Sequence, residues 1–166
     1  MKVNVINWNS EEYWRGIFLR NKLLKTSAGK EWIKELPIHE KYDLHMAAMI
    51  DGEVVGTLLL SKRSRTMAQI KQVAIDELYQ GFGIGKQLLE FAEKIAELMN
   101  FQSVFLTGRK QAWGFYDHFG YQRISSAYSD GDVILKKFKK NLCTKKNTRN
   151  FGIIKHITLK EMETNG

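Results

Sequence analysis

Two spacings of apolar residues divide the chain. Residues 2–6 alternate polar and apolar, the two-residue repeat of a half-buried strand. Ser10 then stands as a helix N-cap with Glu11 and Glu12 in the first turn. Trp14, Ile17, Phe18, Asn21 and Leu24 recur at helical spacing to about Lys25. After a break at 26–29, residues 31–36 predict a short second helix with Trp32 and Leu36 on one face, stopped by Pro37, the chain's only proline. Residues 44–50 and 54–60 are two apolar runs joined by Asp51-Gly52, a strong hairpin signal. A third run, 70–75, is too short for a buried helix and suits a buried strand.

The strongest helical pattern comes next. Ile84, Leu88, Phe91, Ala92, Ile95, Ala96 and Met99 share one face, and Lys86, Gln87, Glu90, Glu93, Lys94 and Glu97 the other. Residues 103–107 read as a strand. Ala112, Phe115, Tyr116 and Phe119 line a following helix, with Gly120 as its C-cap. Residues 121–126 and 133–138 are expected as two further strands, joined by a turn that contains Ser129, Asp130 and Gly131. Residues 151–159 alternate once more, which predicts an extra strand or an arm that meets a partner, and this is the segment expected at a homodimer contact. The order β-α-α-β-β-β-α-β-α-β-β is mixed α/β, with a mostly antiparallel central sheet flanked by helices on both faces.

Between the 70–75 strand and the strong helix lie three glycines at alternate positions, Gly81, Gly83 and Gly85. One glycine there needs no more than a tight turn. Three, placed where a helix offers unpaired N–H groups and the positive end of its dipole, point to an anion site for phosphate or pyrophosphate. The loop is not a Walker loop, because Gly85-Lys86 is followed by Gln87 and no hydroxyl is placed for magnesium. Nor is it a dinucleotide fingerprint, since its spacing is G-x-G-x-G and Asn100-Phe101 lies where the ribose-binding acid would be sought.

What the loop matches is Q/R-x-x-G-x-G/A, carried by Gln80, Gly83 and Gly85. With the preceding V-A-I-D-E-L-Y-Q it resembles the acetyl-CoA pyrophosphate loop of the GCN5-related N-acetyltransferase (GNAT) family. A second segment follows in the right order: Ala112-Trp-Gly-Phe115-Tyr116-Asp-His-Phe119-Gly120-Tyr121 is similar to that family's A-x-x-F-Y-x-x-x-G-F/Y. The resemblance runs roughly from His45 to Phe138 and is specific between Val73 and Tyr121. It implies a GNAT-like acyl-CoA N-acyltransferase fold and transfer of an acetyl group from acetyl-CoA to a primary amine on a small molecule or peptide, with no metal.

The same resemblance implies residue roles. Backbone groups of Val73, Ala74 and Ile75 would pair with the pantetheine arm. The amides of Gln80, Gly81, Phe82, Gly83, Ile84, Gly85 and Lys86 would hold the pyrophosphate. Tyr116 would return a proton to the leaving thiolate. A base is not assigned: many relatives use a Glu on the strand before the loop, where this chain has Gln69 and Gln72. Glu40, Asp43, His45 and His118 are candidates elsewhere. Arg109 stands where the family often has Asn, three residues before Ala112. Trp14, Trp32 and Tyr42 are candidate walls of an acceptor site, and the basic loop 61–66 reads as a solvated turn before it reads as a phosphate anchor. The missing carboxylate favours an alternative, a CoA-binding scaffold without activity, and Tyr116 argues against it.

Charge changes the picture in one respect. The net charge is +8 over 166 residues, but residues 1–135 carry 17 Lys and Arg against 16 Asp and Glu, while residues 136–166 carry 9 against 2. The basic character belongs to the C-terminal segment, so residues 1–140 are expected as the acetyltransferase domain and 141–166 as a basic extension. A near-neutral domain disfavours nucleic acid as its partner. No apolar run approaches the roughly 20 residues that span a membrane, and the N-terminus carries no apolar signal segment. The single cysteine, Cys143, precludes an internal disulfide and is consistent with a cytoplasmic location.

Overall fold

The computed structural model describes residues 1–143. Eight strands form one sheet: β1 (Lys2–Ile6), β2 (Leu44–Ile50), β3 (Glu53–Lys62), β4 (Met67–Ile75), β5 (Ser103–Arg109), β6 (Gln122–Arg123), β7 (Tyr128–Asp130) and β8 (Val133–Asn141). Their order is β1-β2-β3-β4-β5-β8-β6, with β7 also paired to β8. Every pairing is antiparallel except that of β4 with β5. The helices are α1 (Glu11–Arg20), α2 (Ile84–Leu98) and α3 (Trp113–His118). Among the described residues no helix is long and apolar enough to cross a membrane. The alternating stretch 151–159 lies outside the described residues.

The two faces of the sheet carry separate apolar clusters. Met46, Ala48, Val55 and Ile70 pack with Leu88, Ala92 and Ile95 of α2. Ala47, Val54 and Ala74, one residue out of step, pack with Tyr13, Ile17 and Leu19 of α1. The central strands are therefore apolar on both sides, which is why 54–60 reads as a continuous run and not as an alternation. The Asp51-Gly52 turn has positive φ at both positions (49° and 77°), as a two-residue hairpin that follows the sheet's twist requires.

Ser10 caps α1, accepting from the Tyr13 N–H. The helical stripe does continue to Lys25, but as a π turn over Asn21–Lys25. The expected second helix over 31–36 does not form. The Asn21 side chain accepts from Ile33 N–H (2.7 Å) and donates to Ile33 O (3.0 Å), doing for that backbone what a neighbouring strand would do. The Trp8 indole N–H ties down Pro37 O at 3.1 Å. These partners lie at sequence separations a local pattern does not register. Three further boundaries move: β4 begins at Met67, the 121–126 strand shrinks to Gln122–Arg123, and Tyr128–Asp130 becomes a short strand hairpinned onto β8.

One charged group anchors α1 to the segment before β2. Arg20 and Glu40, 4% and 2% exposed, form a two-point ion pair with N···O distances of 2.8 and 2.6 Å, and Tyr13 Oη donates to the same carboxylate at 2.9 Å. Burial opposes ionisation of Glu40, but the Arg20 hydrogen bonds and charge, with the Tyr13 hydroxyl, hold its carboxyl below the usual range. Truncating one partner leaves the other charge buried alone, so Glu40→Ala should destabilise the protein by about 3–5 kcal/mol in denaturant unfolding, and exchanging both for apolar residues should cost less. The carboxyl binds its proton at lower pH in the folded chain than in the unfolded one. Stability should therefore be intact above the ordinary carboxylate range and fall as pH drops through it, and Glu40→Gln should flatten that acid limb.

Candidate active site

The site is built where the sheet comes apart. β4 and β5 pair only at Met67↔Ser103, Ala68↔Val104 and Gln69↔Phe105, and beyond that point the ladder ends. The cause lies in β4. Its register against β3 shifts between Thr57 and Leu59, and Gln72 opposite takes φ +58°, a left-handed conformation costly for a non-glycine residue. This bulge twists the second half of β4 away from β5. The edge of residues 70–75 faces the wedge with its backbone groups on offer.

The glycine loop closes one end of the wedge. Asp76 caps a 3-10 turn over Glu77–Tyr79, and the Gln80 side chain donates to Ile75 O (3.0 Å), so this side chain folds back on the strand end and braces the loop. Gly81 and Gly83 have φ of +86° and +78° with open space where a Cβ would stand. α2 starts at Ile84, with Gly83 at its cap. Gln87 is the first residue bonded back into the helix, to Gly83 O at 3.1 Å, so the amides of Ile84, Gly85 and Lys86 have no acceptor within it. They form an uncovered N–H cradle at the positive end of a fifteen-residue helix. Phe82 and Leu78 project into solvent beside it (74% and 82% exposed). Lys86 lies over the Phe119 ring at 5.8 Å.

α3 forms the opposite wall. The Tyr116 ring rests on Gly108 of β5, where a Cβ would come within 2.9 Å of it, and packs on Phe138 and Tyr121. Only a glycine at 108 lets the ring lie so close to the strand. Burial pushes the Tyr116 phenol up to about 12, so it stays protonated at neutral pH. Among the described residues its hydroxyl has no hydrogen-bond partner, and it is not sealed from solvent. Phe115 reaches back to Gly85, 3.6 Å from where its Cβ would be. The structure sets Ile75 and Phe115 beside Gly85 and Tyr116 against Gly108, and Val73, Ile75 and Ile84 pack in the apolar cluster to which Tyr116 belongs. Ala74 shares β4 with Val73 and Ile75, but its side chain faces α1.

The remaining candidates separate. Glu40 is engaged by Arg20 and Tyr13, and His118 is exposed on α3. Arg109 donates to Ser27 Oγ and, at 2.8 Å, to Leu24 O, which makes it a tie between β5 and the end of α1. The basic loop is a side-chain-braced turn in which Ser64 Oγ accepts from the N–H groups of Thr66 and Met67. Trp14, Trp32 and Tyr42 do not line the cavity under α1, whose walls include Tyr13, Arg20, His45, Thr57 and Gln72. Sequence reading missed this cavity, since no periodicity marks residues from α1, β2, β3 and β4 that converge in space.

Comparison with known proteins follows the same lines. Residues 7–121 match the model of the Acetyltransferase (GNAT) family. A Bacillus subtilis (strain 168) protein with a provisional acetyltransferase name is 29% identical over 84 residues, spanning 51% of this chain and 56% of that relative. Protein YyaT of the same organism, uncharacterised, is 25% identical over 122 residues, 72% of this chain and 78% of its own. A GNAT-family acetyltransferase of Staphylococcus aureus Mu50 superposes with a TM-score of 0.69 at 21% identity, over 85% of this chain and 99% of that one. An aminoglycoside 6′-N-acetyltransferase solved with coenzyme A superposes with a TM-score of 0.71 at 13% identity, over 85% and 97%. With its family match covering residues 7–121, most of the chain, this protein belongs to the GNAT family of acetyltransferases.

Proposed function

We propose that the protein transfers an acetyl group from acetyl-CoA to a primary amine. The observation that carries this reading is the parting of β4 from β5 beside an uncovered helix N-terminus. One cleft then offers an unpaired strand edge to an amide-bearing arm and an N–H cradle to a diphosphate. The fit is chemical. A pantetheine arm carries amides that complement a strand edge, and a pyrophosphate suits amides at the positive end of a helix with no Cβ in the way.

The chain's own residues divide the work. Val73, Ala74 and Ile75 present backbone groups to the arm. Gln80, Gly81, Phe82, Gly83, Ile84, Gly85 and Lys86 form the phosphate cradle, in which Gln80 acts through its brace on Ile75 O. The acyl carbonyl is polarised by a backbone N–H of the bulged strand, a donor already fixed in place. Tyr116, held protonated by burial, donates its phenolic proton to the departing sulfur. Acetyl-CoA supplies the activated acyl group. The acceptor is a primary amine on a small molecule or peptide.

Gly85 offers a test that separates fold from function. A side chain there meets Phe115 only at ordinary contact distance, and a carboxylate in the first turn of α2 is favoured by the dipole. Gly85→Asp should therefore keep or raise the melting temperature of the free protein while repelling a diphosphate. In the wild type, acetyl-CoA or CoA at about 100 times its dissociation constant should add roughly 2.7 kcal/mol of stability, and ATP should add nothing comparable. Absence of a wild-type shift, or a shift that survives Gly85→Asp, would overturn the cradle assignment. Tyr116→Phe should lower kcat by about a hundredfold with the KM for acetyl-CoA unchanged. Undiminished thiol release by that variant would remove Tyr116 from the proton path.

A further inference from the structure

The cavity under α1 is lined by Gln72 of the β4 bulge and by His45, whose second ring nitrogen the structure leaves unpartnered. His45, on β2 and 2% exposed, lies with Nε2 2.9 Å from Glu40 O. A carbonyl oxygen only accepts, so Nε2 carries the hydrogen and Nδ1 of the neutral ring is a bare lone pair. Among the described residues Nδ1 has no hydrogen-bond partner. The one side-chain nitrogen or oxygen among them that is both sealed and unpartnered is Arg20 Nε, so Nδ1 keeps access to solvent. His45, Arg20 and Gln72, the bulged residue itself and the neighbour of Val73, all line the cavity. The cavity holds at most about one water and no side-chain-sized ligand.

We infer that His45 is the proton acceptor of the transfer reaction: the acceptor's ammonium, at the Gln72 bulge, passes its proton through this cavity to Nδ1. This rests on the acetyl-transfer reading above and deepens it. The ammonium loses one proton to Nδ1, and the nitrogen lone pair so freed forms the N–C bond as the C–S bond breaks. Tyr116 gives the sulfur its proton and regains one from the acylated nitrogen. The imidazolium then discharges to solvent, so one proton is released per turnover. The surroundings keep the ring ready. Burial holds His45 below the usual histidine range and Arg20 pushes the same way, while the Glu40 carbonyl and the charges of Glu40 and Asp43 push back. From α1 the ring meets Tyr13 (centroids 4.9 Å apart) and Arg20, whose charge is matched by Glu40. The β3 and β4 walls of the cavity present Thr57, Leu58, Leu59 and Gln72, none of them charged.

The test is a pair of small acceptors with acetyl-CoA, read by thiol release. Butylamine is an ammonium ion at pH 7; 2,2,2-trifluoroethylamine is already neutral. His45→Gln should lower kcat/KM for butylamine about a hundredfold at pH 7 and leave trifluoroethylamine within about twofold of wild type. The KM for acetyl-CoA should not change, and the butylamine defect should shrink as pH rises and the free amine appears. Equal losses on both amines, or none on either, would overturn the assignment of His45 while leaving acetyl transfer standing. No wild-type turnover of either amine, or no stabilisation by acetyl-CoA, would overturn the transfer reading and His45 with it. Should His45→Gln not fold, nitrogen NMR of the wild-type ring decides. A neutral Nε2–H tautomer at pH 7 supports the assignment, and an Nδ1–H tautomer or a charged ring overturns it.

Discussion

The architecture depends on one backbone distortion, the bulge at Gln72. A regular strand through 67–75 would put Ala68, Ile70, Gln72 and Ala74 on one face. Instead Ala68 and Ile70 join the α2 cluster, and so do Val73 and Ile75, three residues further on and not two. Ala74 goes to the α1 cluster. The bulge inserts that extra residue, and it keeps apolar side chains buried on both faces while the strand turns. A left-handed, non-glycine residue costs of order 1–3 kcal/mol. Burial of the side chains on either side of it offsets that cost. The same insertion increases local twist, so β4 cannot remain paired with β5 for its full length. The cleft is thus a consequence of how β4 satisfies two cores at once.

Much of this frame was legible in the chain, and the pieces that were not share a cause. The Asp51-Gly52 hairpin, the glycine loop, the amphipathic α2 and the Phe115, Tyr116, Phe119 face all declare themselves within a few residues of sequence. Gln72 does not. Nothing in a glutamine announces positive φ, whereas Gly83 at the head of α2 does. The expected helix over 31–36 was lost to Asn21, whose amide holds Ile33 from twelve positions away. The Arg20–Glu40 pair spans twenty positions, and the cavity that Arg20 shares with His45 joins α1 to three strands. His45 is therefore visible in the sequence as a residue but not as a place. What raises His45 above Asp43 and His118 is its free nitrogen and the cavity beside it, and both are tertiary properties.

A sheet parted at its centre needs its halves held together elsewhere. Among the described residues only three pairs join β4 to β5, and they are the one link in the ladder between β1–β4 and the other strands. On one face α2 spans the break, with Tyr121 donating to Glu93 at 2.7 Å and Lys140 of β8 reaching the same carboxylate at 3.1 Å. On the other face the segment after α1 does so. Arg109 ties β5 to Leu24 and Ser27, Lys30 meets Asp130 of β7 at 2.9 Å, and Asp132 N–H is directed at Ala28 O. Arg109 sits three residues before Ala112, where the family resemblance leads one to expect an asparagine at the site. Its guanidinium is spent on the strap, and burial lowers its pKa without bringing a carboxylate to it. Ties on both faces thus span the break between β4 and β5.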